Sequence, residues 1–212
     1  AYKFLEKSKT PLSHRYVSYN SWLKNEDKQK VYSDYFSKII KGVDSYDLNK
    51  DIFQKSTSID QRDGGLFSDL TSYLPEDLLV KVDIASMANS LEGRSPILDQ
   101  KMVALACQIP FVLKVRGKET KYIFKKALEK IVPKENLYRP KKGFSVPLDK
   151  WFTGKLNNYA NSKLLRKKAN TRQLFNQKEI KRMLKSHTVE NDFGQQLWPL
   201  LTLELWFESY FG

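Results

Sequence analysis

The chain is predicted to be all-α, on three observations. Apolar residues recur at helical spacing along most of its length. No stretch shows convincing strand alternation. Helix start and stop residues bracket the periodic segments: Asn25-Glu26-Asp27, Pro75-Glu76-Asp77, Asp99, Pro110 and Pro133. The 212 residues are read as a single helical region, 1–212, without internal repeat or low-complexity linker.

Ala1 to Thr10 reads as the tail of an earlier element. The chain begins Ala-Tyr-Lys without a start methionine, which suggests an excised fragment. His14 to Leu23 places Tyr16, Tyr19 and Leu23 at helical spacing. A helix from Asn25 to about Lys38 follows, with Val31, Tyr35 and Phe36 inward. Asp44 to Gln54 and Asp60 to Tyr73 read as two more, the second interrupted by Gly64-Gly65. That glycine pair is too isolated to be a phosphate loop.

Pro75-Glu76-Asp77 suits a helix first turn. The helix it opens is apolar almost all round: Leu78, Leu79, Val82, Ile84, Ala85, Met87, Ala88 and Leu91. Such a helix is expected to be buried. Asp99 caps a helix over Gln100 to Gln108, with Met102, Val103, Leu105 and Ala106 inward and Cys107 read as core. Phe111 to Val115 is a turn or short strand. Thr120 to Val132 is amphipathic, with Ile123, Phe124, Ala127, Leu128 and Ile131 on one face. Helices over Leu148–Phe152, Leu156–Lys168, Asn176–Ser186 and Asn191–Tyr210 complete the chain, Pro199 implying a kink or a first-turn position in the last.

The net charge is +13, from 37 basic and 24 acidic residues. That suits a nucleic acid, a nucleotide phosphate, or simply a lysine-rich surface. The lysines are spread along the chain, so nucleic acid is the disfavoured partner. No apolar run approaches the roughly 20 residues of a membrane span. One cysteine gives no disulfide framework, and with no signal peptide visible the expected compartment is cytoplasmic. His14 and His187 lie near no other ligand at metal-binding spacing, so no metal site is expected.

Two constellations could carry chemistry. In Leu91-Glu92-Gly93-Arg94-Ser95-Pro96, Pro96 forces Ser95 to be extended and Gly93 relieves crowding. Arg94 could hold a carboxylate or phosphate while Glu92 orients it or accepts a proton. The plainer alternative is an internal ion pair that locks the turn. In Tyr138-Arg139-Pro140-Lys141-Lys142-Gly143-Phe144, a proline-braced loop carries three cations and could set a lysine against a phosphoryl oxygen. The plainer alternative is a solvated basic loop.

Together these segments resemble the glutamine-hydrolysing asparagine synthetases. The resemblance is carried by Tyr73-Leu-Pro-Glu-Asp-Leu-Leu-Val-Lys-Val-Asp, Leu91-Glu-Gly-Arg-Ser-Pro-Ile-Leu-Asp, Arg139-Pro-Lys-Lys-Gly-Phe, and Leu203-Glu-Leu-Trp206. It implies the helical C-terminal half of an α/β, ATP-pyrophosphatase-type synthetase domain. In that family Mg-ATP adenylates the side-chain carboxylate of aspartate, and ammonia from a separate N-terminal glutaminase domain displaces AMP. The resemblance assigns Lys141 and Glu92 to catalysis. It assigns Arg94, Lys81, Asp83, Arg139 and Lys142 to substrate or phosphate binding. It also allows a homodimer.

The departures are specific. Ile84 stands where the family commonly has arginine and Gly93 where it commonly has alanine. Ser95 and Ile97 replace a usual Val and Phe. The Ser-Gly-Gly-x-Asp-Ser pyrophosphate loop is not in this sequence, and neither is the glutaminase domain. The fragment alone is therefore expected to be inactive. Two other readings stay open: the same chemistry on another carboxylate, as in β-lactam-forming or polysaccharide-amidating relatives, and a non-catalytic basic module that binds nucleic acid.

Overall fold

A computed structural model describes residues 10–19, 21–140 and 146–211. The described residues are mostly helical, as expected, with one small hairpin. Contacts divide the chain into two units, residues 1–17 with 45–142 and residues 18–44 with 143–212.

The second unit holds the larger core. Its elements are α2 (Asn25–Val31), α3 (Asp34–Ile39), α11 (Leu148–Trp151), α12 (Lys155–Leu164), a 3-10 turn (Asn170–Gln173), α13 (Gln177–Ser186) and α14 (Gly194–Phe211). Leu197, Leu200 and Leu201 of α14 pack with Phe152, Leu164, Ile180 and Met183 from α12, α13 and the segment after α11. Pro199 lies inside α14, which runs through it. The expected single helix over 25–38 is two. The chain breaks at Tyr32-Ser33 because Tyr32 bridges Phe175 and the Ser33 N–H donates to the Leu174 carbonyl at 2.9 Å. The Ser33 hydroxyl then caps α3, accepting from the Phe36 N–H at 3.0 Å.

Buried His187 links two of these segments. Its Nε2 sits 2.8 Å from the Asp149 carbonyl and its Nδ1 accepts the Phe193 N–H at 3.0 Å. That pattern requires the neutral tautomer with the proton on Nε2.

The first unit contains most of α1 (Leu12–Tyr19), then α4 (Ser45–Gln54), α5 (Asp63–Ser68), a π-helical stretch (Asp69–Leu79), α6 (Val80–Met87), a 3-10 turn (Pro96–Leu98), α7 (Gln100–Gln108) and α8 (Phe111–Lys114). Then come β1 (Val115–Arg116), β2 (Glu119–Thr120), α9 (Tyr122–Leu128) and α10 (Lys134–Leu137). The strands pair antiparallel, Val115 opposite Thr120 and Arg116 opposite Glu119, around Gly117 at φ +63°.

Gly64 and Gly65 do not interrupt a helix; they lie within α5. Their role is close approach. A methyl at Gly64 would stand 2.7 Å from the buried Phe53 ring, and one at Gly65 would stand 3.1 Å from Tyr16. Tyr16 also donates its hydroxyl to the Asp69 carboxylate. On the other side of α5, Arg62 lies over the Phe111 ring at 4.3 Å and Lys114 pairs with Asp63 at 3.1 Å.

Pro75 does not open a helix. It sits inside the π-helical stretch, which continues α5 into α6. A proline in an α-helix lacks the N–H and crowds the carbonyl four residues back. Bonding five residues back is the local response.

Candidate functional site

The Glu92–Arg94 turn is built by the exit from α6. The Leu91 N–H donates to the Ser86 carbonyl at 3.0 Å and the Ser90 N–H donates to the Met87 carbonyl at 2.9 Å. Ser90 is left-handed, at φ +58°. This is a Schellman ending, with serine where glycine is usual. The Asn89 amide donates to the Ala85 carbonyl at 3.0 Å and seals the last turn. Ser95 is extended, as Pro96 requires, and Pro96 opens the 3-10 turn. Asp99 caps α7 as expected, accepting from the Lys101 N–H at 2.9 Å.

Gly93 does not relieve crowding. An added methyl would lie 3.7 Å from Val82 and 3.8 Å from Ser86, which is ordinary contact. The family's alanine would fit.

The expectation of burial fails here. No residue of α6 or α7 is buried, and Val82, Ile84 and Met87 are more than half exposed. Met102, Leu105 and Cys107 are exposed as well, so Cys107 is not core. The apolar residues of α6 and α7 are suited to burial, but among the described residues nothing covers these helices.

The charged side chains Lys81, Asp83, Glu92 and Arg94 are consequently in water. Arg94 donates to Glu92 at 3.0 Å, and both side chains are largely exposed. Lys81 pairs with Asp77 one turn back, at 3.5 Å, and not with Asp83, whose side chain is also exposed. The turn thus brings Glu92 and Arg94 together. An exposed pair contributes little to stability and exchanges partners readily.

The second constellation is described only up to its entry. Tyr138, Arg139 and Pro140 are exposed; Lys141 and Lys142 lie outside the described residues. What the sequence reading missed is the anchor behind the loop. Glu129 accepts from Lys126 at 2.7 Å and from the Tyr138 hydroxyl at 2.5 Å, through one carboxylate oxygen. Lys126 first, then Tyr138, holds the Glu129 carboxyl below its ordinary range, while Glu129 pushes the Tyr138 hydroxyl up. The Lys126 to Glu129 spacing was a legible i,i+3 pair; Tyr138, nine residues on, was not.

Glu204 was also missed. It is fully buried, on the same face of α14 as Leu197 and Leu201. It accepts from the Thr171 N–H and hydroxyl, both at 2.8 Å, from the Asn170 N–H at 3.0 Å, and from Arg166 at 3.1 Å. The signal was a carboxylate at core spacing within Leu203-Glu-Leu-Trp206.

Among the described residues no three His, Cys, Asp or Glu side chains gather to hold a metal. A cavity of about 260 Å3 lies between Pro11–Ser13, Phe53 and Gly64, away from the candidate residues.

The asparagine synthase family model matches residues 2–208. Asparagine synthetase (glutamine-hydrolyzing) 1 of Bacillus subtilis (strain 168) is 30% identical over 204 residues, covering 95% of this chain and 31% of that protein. A Mycobacterium tuberculosis (strain ATCC 25618 / H37Rv) protein provisionally named as a glutamine-hydrolyzing asparagine synthetase is 39% identical over 140 residues, 65% of this chain and 21% of its own length. Asparagine synthetase (glutamine-hydrolyzing) 3 of Bacillus subtilis (strain 168) is 28% identical over 163 residues, 73% of this chain and 26% of its own. No solved structure is a significant match. The chain spans under a third of the length of these relatives, and on the family match over nearly all its residues it belongs to the asparagine synthase family.

Proposed function

We propose that this chain is part of an ATP-dependent ligase that adenylates the side-chain carboxylate of aspartate and aminates it with ammonia derived from glutamine. The observation that carries the reading is the family match over residues 2–208, with the Glu92–Arg94 turn presented to solvent on a well-formed helix ending. A carboxylate oxygen attacks the α-phosphorus of ATP and pyrophosphate leaves. Ammonia then adds at the acyl carbon and AMP departs.

In this reading Lys141 neutralises charge on the phosphoryl oxygens, and Arg139 and Lys142 attract the phosphates. Arg94 holds a carboxylate or phosphate, with Glu92 as its alternative partner and proton acceptor. Lys81 and Asp83 contact substrate from α6. ATP and Mg2+ are bound mainly by the family's ATP-binding region, and a glutaminase region supplies the ammonia. The exposed apolar residues of α6 and α7 support a covering partner of this kind, since such side chains gain from leaving water. No helix among the described residues is long and apolar enough to cross a membrane. A cytoplasmic enzyme is the proposal.

A different acceptor carboxylate is the second reading. Ile84, where the family commonly carries arginine, is 65% exposed on α6. An apolar group there cannot pair with an amino-acid carboxylate.

The test uses the full-length protein that carries this chain, with aspartate and a panel of other carboxylates. Lys141→Ala should abolish ATP-dependent synthesis while leaving glutamine hydrolysis intact. An unchanged synthesis rate would remove Lys141 from the mechanism.

A further inference from the structure

The cavity of the first unit is used by neither constellation. It lies where the start of α1, the end of α4 and the turn into α5 meet. Leu12 and Phe53 give it an apolar wall, and Ser13, Gln54, Ser56 and Gln61 give it hydroxyls and carboxamides. Its volume of about 260 Å3 is far more than the roughly 10–15 Å3 that one water needs. It is close to the roughly 300 Å3 at which small-molecule sites begin.

The turn beside it is held by its own bonds. The Ser58 hydroxyl donates to Asp63 at 2.8 Å and accepts the Asp60 N–H at 3.3 Å. The Gly64 N–H donates to the Gln61 carbonyl at 3.2 Å. The Ser56 hydroxyl accepts the Ser58 N–H at 3.4 Å, which leaves its own proton to donate. Ser13 is different. It is only 8% exposed, yet among the described residues its hydroxyl has no hydrogen-bond partner. A buried hydroxyl left unpaired is costly, and the open space beside this one is the cavity.

We infer that this cavity binds an uncharged small molecule of about monosaccharide size that carries several hydroxyl groups. Hydroxyls and carboxamides both donate and accept, which matches the same dual character in an alcohol. Leu12 and Phe53 cover the carbon skeleton. Charge is what the lining lacks. Among the described residues that line it there is no Asp, Glu, Lys, Arg or His. The ionic groups of the adjoining turn are committed elsewhere, Asp60 to Arg62 and Asp63 to Lys114. A carboxylate, phosphate or ammonium group entering here sheds water without meeting an opposite charge.

The experiment titrates the full-length protein with glucose and follows saturation transfer to the sugar protons. Gluconate serves as a charged analogue of similar size. Glucose should bind with a Kd on the order of 1 mM. Gluconate should bind at least about tenfold more weakly. Ser13→Ala should weaken glucose about fivefold to tenfold. Its thermal midpoint should hold or rise, because no internal bond is lost. Gln61→Ala, at an exposed position, should weaken glucose by a similar factor without disturbing the core. No saturation by glucose up to roughly fifty times that Kd would overturn the inference and leave water as the occupant. Unchanged glucose affinity in both variants would overturn it too, since the sugar then sits elsewhere. Gluconate binding as tightly as glucose would contradict an uncharged ligand. A lowered thermal midpoint in Ser13→Ala would show that its hydroxyl serves the fold and not a ligand.

Discussion

Glu204 has four hydrogen bonds and no exposed surface. Burial pushes its pKa up, but the Thr171, Asn170 and Arg166 bonds outweigh that and bring it below the ordinary value of 4.5. A carboxyl depressed on folding stabilises the folded state above its unfolded pKa. That contribution is lost as pH falls through the folded value. Glu204→Gln should therefore cost about 3 kcal/mol near neutral pH by denaturant titration, since it leaves Arg166 and two backbone donors poorly served. The difference from the parent should shrink as pH falls below 4.5. A difference that stays constant or grows in acid would contradict this assignment. Its spacing to Leu197 and Leu201 marks Glu204 as inward-facing, but nothing in the sequence names its donors. A glutamate two residues from tryptophan on a helix is ordinary, and only the fold shows that the 3-10 turn at Asn170 brings its donors there.

At the scale of elements, helices were largely legible, because apolar periodicity and caps such as Asp99 act locally. Their ends and partners were less so. The break at Tyr32-Ser33 comes from a bridge to Phe175, more than a hundred residues away, which no local pattern encodes. The glycines of α5 looked like an interruption but are packing devices. Gly64→Ala should destabilise the chain by about 1–3 kcal/mol, because the new methyl must displace Phe53. A neutral Gly64→Ala by thermal melt would mean Phe53 has room to move. Ser90 makes the opposite case: its left-handed backbone costs roughly 1 kcal/mol that glycine would not pay. Ser90→Gly should raise the thermal midpoint by a few degrees, roughly 4 °C or less for a chain of this size. A drop would show that the serine side chain contributes something the turn geometry does not reveal.

At the scale of the whole molecule, the two units carry different surfaces. The second unit buries its aliphatic residues around α14. The first leaves Val82, Ile84, Met87, Leu91, Ile97 and Leu105 in water, beside the turn that carries Glu92 and Arg94. Sequence periodicity detected that these helices are apolar on most sides, which is a statement about what they can bury. It could not say whether the cover lies within this chain. For the same reason the candidate site was legible as motifs but not as geometry: the Glu92–Arg94 pair was foreseen, its exposure was not. The central claim is that this surface serves carboxylate adenylation in a larger ligase. It is tested most directly by supplying the full-length protein with ATP, glutamine and aspartate labelled with heavy oxygen in its side-chain carboxylate. The account predicts one labelled oxygen on the phosphate of AMP for each amide formed, and none with Lys141→Ala. Amide formation without label on AMP, or label transfer unaffected by Lys141→Ala, would contradict it.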